Sequence, residues 1–272
     1  MKKSNAFSFC KRQILPALLS VCIYSNLRAQ DFSVYEKHFY NAPELNLAYR
    51  YLRPKTMDSS KVYPLLIFLH GAFSKGFDNE LQLAIGGRFF MRDSVRVNYP
   101  AYVLFPQCPE ADSWAYFETK TDIRGNPSDF RFPVLRKPTD VTAALLKLVD
   151  SLRAQDLIDH SRIYIGGFSQ GGMGVLDLIA REPEVFAAAF SICGAGDVST
   201  ARKFAGKTAL WIFHGEEDDV IPVHFSRQYY KLLKKLDADV RYSEYAFVKH
   251  NSWLGAFAEK ELLSWMFSKK KD

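Results

Sequence analysis

The feature that most constrains the fold of this chain is a series of short, almost wholly apolar runs separated by amphipathic stretches. The apolar runs are Leu65–Leu69, Tyr102–Phe105, Ile163–Ile165, Phe186–Ile192 and Ala209–Phe213. Runs without polar alternation are typical of strands that are covered on both faces, as in a parallel sheet. The pattern therefore predicts an α/β fold, with a doubly wound, mostly parallel sheet and ligands at the carboxyl ends of its strands.

Helices are expected between these runs, and one further strand before them. The predicted helices are Asn79–Phe90, Thr139–Arg153, Gln170–Arg181, His224–Leu236 and Ala256–Phe267. Thr139 can cap its helix, because a threonine side chain at that position accepts a backbone N–H. Leu45–Tyr51 has apolar or aromatic residues at every second position, which predicts a half-exposed strand at an antiparallel edge. No repeat or linker divides the chain, so we expect one domain.

The basic excess of the chain is concentrated at its start. The chain has 36 Lys+Arg and 30 Asp+Glu, a net charge of +6. Five of the basic residues and no carboxylate lie in the first 30 positions, so the remainder has a net charge of +1. A nearly neutral remainder has no basic stripe to hold phosphates, which excludes nucleic acid as a partner.

Residues 1–29 have the parts of a secretory signal peptide in their usual order. A basic start precedes an apolar stretch, Ile14–Leu27, and Ala29 ends the segment. The stretch is too short to span a bilayer comfortably, so no transmembrane segment is expected in the mature chain. We therefore expect an exported protein, periplasmic or extracellular. The alternatives are a retained amphipathic helix and anchoring through a lipid on Cys22.

After removal of that segment, Cys108 and Cys193 remain, too few for a disulfide framework. Both are expected to be small buried residues, with one mutual disulfide as the alternative. No Cys or His pair has metal-ligand spacing, so the sequence implies no metal and no cofactor.

The most informative motif is Gly167-Phe168-Ser169-Gln170-Gly171, which follows a predicted buried strand and precedes a predicted helix. Such a strand-turn-helix is tight enough that side chains at the two glycine positions would collide with the neighbouring strand or helix. The turn holds a serine hydroxyl at the top of the sheet, beside a helix N-terminus that favours developing negative charge. Ser169 is therefore the candidate nucleophile.

A serine nucleophile requires a histidine base and an acid, in the chain order Ser, acid, His. Carboxylates follow the predicted strand Ala209–Phe213, but the run Glu216–Asp219 leaves open which one acts. His250 is the histidine that follows a later predicted strand, Val240–Phe247, and leads into the last helix. This position makes His250 the candidate base.

At these residues the chain resembles the α/β-hydrolase superfamily, in particular the carboxylesterase/phospholipase and prolyl-oligopeptidase-like esterases, which include predicted peptidases. The matching blocks are Leu69–Ala72, Phe105–Pro109, Gly167–Gly172, His214–Pro222 and His250–Trp253. The resemblance implies a single catalytic domain over residues 30–272. The His-Gly-x-x-Asp-x-x-Val-Pro motif of the family assigns the acid to Asp218, with Asp219 as the alternative.

The resemblance also implies an oxyanion hole, formed by the backbone N–H groups of Ala72 and Gln170. Related chains often have Gly-Glu-Arg-Gly after His-Gly-Ala, whereas this chain has Phe73-Ser74-Lys75-Gly76. The family's substrate contacts at that point therefore do not carry over directly. We expect Phe73, Trp114 and Trp253 to contact the substrate.

Loop lengths indicate an open site. Only residues 194–208 separate two of the predicted strands, too few for the helical lid of many lipases. The longest irregular stretch, Pro109–Pro138, carries aromatic residues among polar ones and is predicted to form one wall of the substrate cleft. The alternative is that these aromatic residues pack on the side of the domain.

The leading functional prediction is a secreted or periplasmic serine ester hydrolase that acts through an acyl-enzyme. Its substrate would be a small-molecule or polysaccharide-linked ester. Two alternatives share the fold: a serine peptidase of the prolyl-oligopeptidase type, and a non-catalytic secreted binding module. The peptidases usually carry a propeller domain, for which the chain leaves no room, and a binding module has no need of a complete triad.

Overall fold

The computed structural model describes residues 31–121, 127–133 and 137–272. The predicted signal peptide, residues 1–29, and Cys22 lie outside the described residues. The strands are β1 Glu36–Asn41, β2 Asn46–Leu52, β3 Tyr63–Leu69, β4 Tyr102–Pro106, β5 Glu118–Thr121, β6 Pro127–Arg131, β7 Ile158–Phe168, β8 Ala188–Ile192, β9 Ala209–Gly215 and β10 Val240–Tyr245. The α-helices are α1 Gly87–Phe90, α2 Asp93–Asn98, α3 Asp140–Arg153, α4 Gln170–Arg181, α5 Ala201–Phe204, α6 His224–Lys235, α7 Trp253–Ala256 and α8 Leu262–Phe267.

Eight of these strands form one sheet in the order β1-β2-β4-β3-β7-β8-β9-β10. Neighbours from β4 to β10 are parallel, and β2 runs antiparallel to both β1 and β4. The chain leaves β3 toward β4 on one side and returns to β7 on the other. This reversal opens a crevice between the carboxyl ends of β3 and β7, where ligands bind in doubly wound folds. The predicted fold class is confirmed.

Each face of the sheet has its own apolar core. On one face, Leu145 and Leu148 of α3 and Ile179 of α4 pack against inward-facing strand residues. On the other face, Phe68 and Phe190 pack in the same cluster as residues of α8. Burial on both faces explains why the central strands lack polar alternation.

Three helix predictions agree with the structure to within one or two residues. The helices α3, α4 and α6 occupy the predicted stretches, and the Thr139 side chain caps α3 by accepting the Thr142 N–H at 3.3 Å. Two helix predictions were wrong in extent. The stretch Asn79–Phe90 forms a 3-10 turn and the short α1, because Gly86 has a φ of +90° and interrupts the helix. The last stretch is divided into α7 and α8.

The antiparallel edge has one more strand than predicted. β2 corresponds to the predicted edge strand, but β1 pairs outside it. Most residues of β2 are buried rather than half-exposed. Leu47 and Tyr51 belong to the core cluster that contains α3, and Leu52 belongs to the core on the other face. Within the described ranges, no helix is long and apolar enough to cross a membrane.

Candidate active site

Ser169 lies between β7 and α4, at the crevice where the direction of strand winding changes. Its φ of 57° and ψ of −119° lie in a region that non-glycine residues rarely adopt. Such a conformation costs about 1–3 kcal/mol and persists where the surrounding structure imposes it. The Ser169 N–H donates to the Ile192 carbonyl at 2.8 Å, and the Ser169 carbonyl accepts from Met173 of α4. These bonds tie the turn to β8 and to the helix.

The two glycines of the turn are required by space. A Cβ on Gly167 would lie 2.4 Å from the Gly171 carbonyl oxygen, and a Cβ on Gly171 would lie 2.0 Å from the Leu69 carbonyl oxygen. Both distances are far shorter than any tolerated contact, and both involve backbone atoms that side-chain rotation cannot move. The predicted collisions with the neighbouring helix and strand are therefore present at both glycine positions.

The three residues predicted to form a triad lie in hydrogen-bond contact. The Ser169 Oγ is 2.9 Å from the His250 Nε2, and the His250 Nδ1 is 2.8 Å from the Asp218 Oδ2. A carboxylate only accepts hydrogen bonds, so Nδ1 carries the proton of a neutral His250. The lone pair of Nε2 then faces the serine hydroxyl. The arrangement can remove the hydroxyl proton and hold the positive charge that this transfer creates.

Asp218 is fixed by several donors although its side chain is fully buried. Its Oδ1 accepts the N–H groups of Val220 and Ile221, each at 2.9 Å. Burial alone would raise the pKa of this carboxyl, but hydrogen bonds from His214 and His250 outweigh that effect and hold the pKa well below its usual range. The alternative acid, Asp219, is exposed and pairs with Lys249 at 3.1 Å. Asp218 is therefore the carboxylate that contacts the histidine.

The buried side chain of His214 lies next to the Asp218 carboxylate. Its Nε2 lies 2.9 Å from the Ile221 carbonyl and 3.4 Å from the Asp218 Oδ2. Because a carbonyl only accepts, Nε2 carries the proton, and Nδ1 accepts from the Ser226 hydroxyl at 2.7 Å. The sequence placed His214 at a strand end but gave it no role. Its position directly after the predicted strand Ala209–Phe213, four residues before Asp218, was the available signal.

Cys193, His214 and Asp218 offer ligand atoms within 4.8 Å of one another. Burial raises the pKa of the Cys193 thiol, so the sulfur stays protonated, and it lies 2.7 Å from the Ser252 Oγ. Both nitrogens of His214 are already hydrogen-bonded. These three residues therefore form part of a hydrogen-bond network next to His250. A protonated thiol and a histidine with both nitrogens occupied do not fit a metal ion. Cys193 and Cys108 are buried and free, as predicted, rather than paired.

The predicted oxyanion groups lie at the start of two helical turns. Ala72 begins a 3-10 turn after β3, and Gln170 begins α4 directly after Ser169. Among the described residues, neither N–H has a hydrogen-bond acceptor. Free N–H groups on both sides of the crevice are the donors that a developing oxyanion requires.

A buried histidine anchors the Ala72 turn. His70 donates from Nδ1 to the Gly71 carbonyl at 2.7 Å and accepts the Cys108 N–H at Nε2, 2.9 Å away. Burial lowers the pKa of His70 to about 4, so the ring is neutral at pH 7 and keeps this acceptor. The Trp114 Nε1 donates to the His70 carbonyl at 3.0 Å. Trp114 is fully buried, so its side chain supports the turn, and the prediction that it contacts substrate was wrong.

An open cleft of about 610 Å³ lies beside His250. Phe73 and Trp253, two of the predicted contact residues, line it, and so does Phe247, which the sequence analysis missed. Phe247 has a φ of +60° in the turn before His250, a backbone detail that no residue pattern shows. Among the described residues no lid covers the cleft, and residues 194–208 hold only two short helical turns.

The stretch Pro109–Pro138 is less irregular than predicted, because β5 and β6 form a hairpin within it. Its aromatic residues Phe117, Phe130 and Phe132 pack beside Met173 of α4 and Phe225 of α6. The described part of this stretch contributes no residue to the cleft at His250. This packing against the domain is the alternative considered for its aromatic residues.

A nucleophile turn between a central parallel strand and a helix, with acid and histidine at later strand ends, is the hallmark of the α/β hydrolases. The model of the phospholipase/carboxylesterase family matches residues 56–259. The chain therefore belongs to the phospholipase/carboxylesterase family. The comparison with curated proteins found no match.

Solved structures agree with this assignment. A thermostable esterase is 35% identical with a TM-score of 0.77, and the match covers 88% of this chain and 64% of that one. An acylaminoacyl peptidase from Pyrococcus horikoshii has 19% identity and a TM-score of 0.61, covering 88% of this chain and 42% of that one. Est1E from Butyrivibrio proteoclasticus has 13% identity and a TM-score of 0.58, covering 85% of this chain and 98% of that one. The last two likenesses establish the fold alone.

Proposed function

We propose that this protein is a serine carboxylic ester hydrolase with Ser169 as nucleophile, His250 as base and Asp218 as the residue that orients the base. The observation that carries the proposal is the continuous chain of hydrogen bonds from the Ser169 Oγ to the Asp218 carboxylate, with contacts of 2.9 and 2.8 Å. The 35% identity to a thermostable esterase supports ester hydrolysis as the reaction.

In the proposed acylation step, the Ser169 oxygen forms a bond to the ester carbonyl carbon while its proton moves to the His250 Nε2. Asp218 stabilises the resulting imidazolium and keeps its ring in position. The carbonyl oxygen gains negative charge and accepts the N–H groups of Ala72 and Gln170. One such donor contributes about 10²–10³ in rate.

The tetrahedral intermediate then collapses, and the bond between the carbonyl carbon and the alcohol oxygen breaks. That oxygen takes the proton from the His250 Nε2 and leaves as the free alcohol. The acyl group remains on Ser169 as an ester. Water, deprotonated by the same histidine, repeats the sequence and releases the acid.

The proposal includes export to the periplasm or the extracellular space, supported by the order of regions in residues 1–29. It also includes a bulky ester, such as an acylated carbohydrate, as a substrate. The open cleft beside His250 supports such substrates, because it leaves room for groups that extend beyond the reacting ester.

The test uses the full chain with p-nitrophenyl acetate and a fluorophosphonate probe. We expect hydrolysis of the ester and a single labelled peptide that contains Ser169, whereas Ser169→Ala should show neither. Ser191→Ala serves as a matched control, because Ser191 is also a buried serine and lies in β8, the strand next to the one that precedes Ser169. Hydrolysis without labelling at Ser169 would overturn the assignment of the nucleophile.

Peptide amides separate the esterase from a serine peptidase, since the same three groups can attack both. An esterase should turn over acyl esters without cleaving peptide p-nitroanilides. Comparable turnover of both substrates would favour the peptidase. A chain that reacts with neither substrate would point to a binding module.

A further inference from the structure

The cleft beside His250 has an unusual wall of exposed aromatic side chains. Phe73 is 95% exposed and Phe247 is 83% exposed, and both line this cleft together with Trp253. Exposed apolar groups that gather at one concave site mark a binding surface, whereas single ones are ordinary. The volume of about 610 Å³ falls in the range of small-molecule sites.

The reaction geometry decides which half of an ester enters this cleft. The tetrahedral carbon carries four substituents: the Ser169 oxygen, the oxyanion, the alcohol oxygen and the acyl chain. The oxyanion faces the N–H groups of Ala72 and Gln170. The alcohol oxygen must lie next to the His250 Nε2, because that nitrogen returns the proton to it. His250 itself lines the cleft, so the alcohol half points into it.

The acyl half then extends in the remaining direction, away from His250. Near Ser169, Ala115 and Ala195 pack with Met173, which lies one turn along α4. These residues do not line the cleft at His250. The two halves of the ester therefore meet different surfaces.

The charges of the cleft indicate a neutral ligand. The charged side chains that line it among the described residues are Asp219 and Lys249, and these two pair at 3.1 Å. A paired carboxylate and ammonium leave no net charge to attract an ionised group. Aromatic walls instead favour a ring, which packs edge-to-face or offset against Phe73 and Phe247.

We propose that this cleft is the alcohol-binding subsite and that it selects esters of neutral alcohols that carry a ring. This proposal rests on the esterase function described above. In each turnover the bond from the carbonyl carbon to the alcohol oxygen breaks with its electron pair on that oxygen. The His250 proton neutralises it, and the ring-bearing alcohol leaves through the open cleft.

Two isomeric esters test the proposal, because they place the same ring on opposite sides of the ester bond. Benzyl acetate is compared with ethyl acetate, and methyl phenylacetate with methyl acetate. We expect kcat/KM to be at least ~10-fold higher for benzyl acetate than for ethyl acetate. The ring on the acyl side should give no comparable gain.

In the double variant Phe73→Ala/Phe247→Ala, kcat/KM for benzyl acetate should be within about 2-fold of kcat/KM for ethyl acetate. The single variants should each lower the ratio of these two values partly. Phe39→Ala is the matched control, because Phe39 is also an exposed phenylalanine, 58% exposed on the edge strand β1. This control should retain the wild-type ratio.

The outcomes separate failure of this proposal from failure of the esterase function. Hydrolysis of simple esters without a preference for benzyl acetate would overturn the subsite and leave the esterase intact. A preference that survives the double variant, or that follows the ring to the acyl side, would also overturn it. Absence of all ester hydrolysis and of fluorophosphonate labelling would refute both.

Discussion

Asp218 and Phe247 both belong to loops at the carboxyl edge of the sheet, yet the structure holds them in opposite ways. The Asp218 side chain is fully buried and accepts two backbone N–H groups as well as His250. The Phe247 side chain is 83% exposed. The groups proposed to react are therefore positioned by dense hydrogen bonds, whereas the Phe247 side chain of the cleft wall lies mostly in solvent.

This difference separates two requirements of an enzyme. Chemistry depends on distances that must stay within tenths of an ångström, and buried hydrogen bonds provide that accuracy. Substrate choice depends on which surface lies nearby, and exposed side chains can change without disturbing the core. Substitutions at the buried groups should therefore change rate or stability, and substitutions at the wall should change preference.

The largest effect is expected for Ser169→Ala. Removing the hydroxyl eliminates the nucleophile, and kcat for p-nitrophenyl acetate should fall by about 10⁴–10⁶. Steady-state kinetics and mass spectrometry of a fluorophosphonate adduct measure this loss. A variant with more than a tenth of the wild-type rate would contradict the role of Ser169.

The next effect compares two adjacent acids. Asp218→Asn should lower kcat by about 10⁴, because the asparagine amide no longer fixes the required tautomer of His250. Asp219→Asn should lower kcat far less, by under about 10-fold, because Asp219 lines the cleft but pairs with Lys249 rather than with His250. Equal losses in both variants would refute the assignment of Asp218.

The third prediction concerns pH and His70. Its pKa is lowered to about 4 in the folded chain, whereas a histidine in an unfolded chain has about 6.5. The unfolded state therefore binds the proton first, and stability falls as the pH drops through this window. Between pH 7 and pH 5, His70 should remove about 2 kcal/mol from the free energy of unfolding.

Urea unfolding at the two pH values measures this loss in the wild type and in His70→Gln. Glutamine keeps one donor and one acceptor but does not titrate, so the variant should show a smaller decrease by about 2 kcal/mol. His38→Gln is the control at a half-buried histidine of the edge strand β1. The prediction would be contradicted if the free energy of unfolding fell by the same amount from pH 7 to pH 5 in the wild type and in His70→Gln.

The smallest effect is expected at the cleft wall. Phe73→Ala and Phe247→Ala should each change the free energy of unfolding by less than about 0.5 kcal/mol, because both side chains are exposed. Phe190→Ala should cost about 3–5 kcal/mol, since Phe190 is fully buried in the core. A destabilisation above 1.5 kcal/mol at Phe247 would show that the wall is a structural element.

The fold was predictable because local patterns encode its strands and turns, whereas the contacts among Ser169, His250 and Asp218 span 32 and 81 positions and were predictable only from the order of the motifs and the resemblance to a family. Apolar runs indicate the buried strands, and the two glycines beside Ser169 indicate a turn that no larger residue fits. Trp114 was assigned to the substrate, because sequence shows an aromatic residue in a loop but not its hydrogen bond to the His70 carbonyl. Such contacts join residues 44 positions apart, and no local pattern contains them.

The same limit applies at the edge of the sheet and in the helices. β1 was missed because its pairing with β2 is a tertiary contact. The helix predicted at Asn79–Phe90 was too long, because Gly86 adopts a positive φ close to Phe68 and Phe105, and no local pattern shows that conformation. The predicted strand Val240–Phe247 was two residues too long, because β10 ends at Tyr245 and Phe247 lies with a positive φ in the turn that follows.

The backbone conformation of Ser169 has a consequence for how this chain changes over generations. Glycine adopts a positive φ without the strain that serine bears there. A copy released from selection for the hydroxyl would therefore gain stability by mutation to glycine at this position. If Ser169 is the nucleophile, the strain at this residue is therefore the stability that the chain gives up to hold a hydroxyl at this point of the turn.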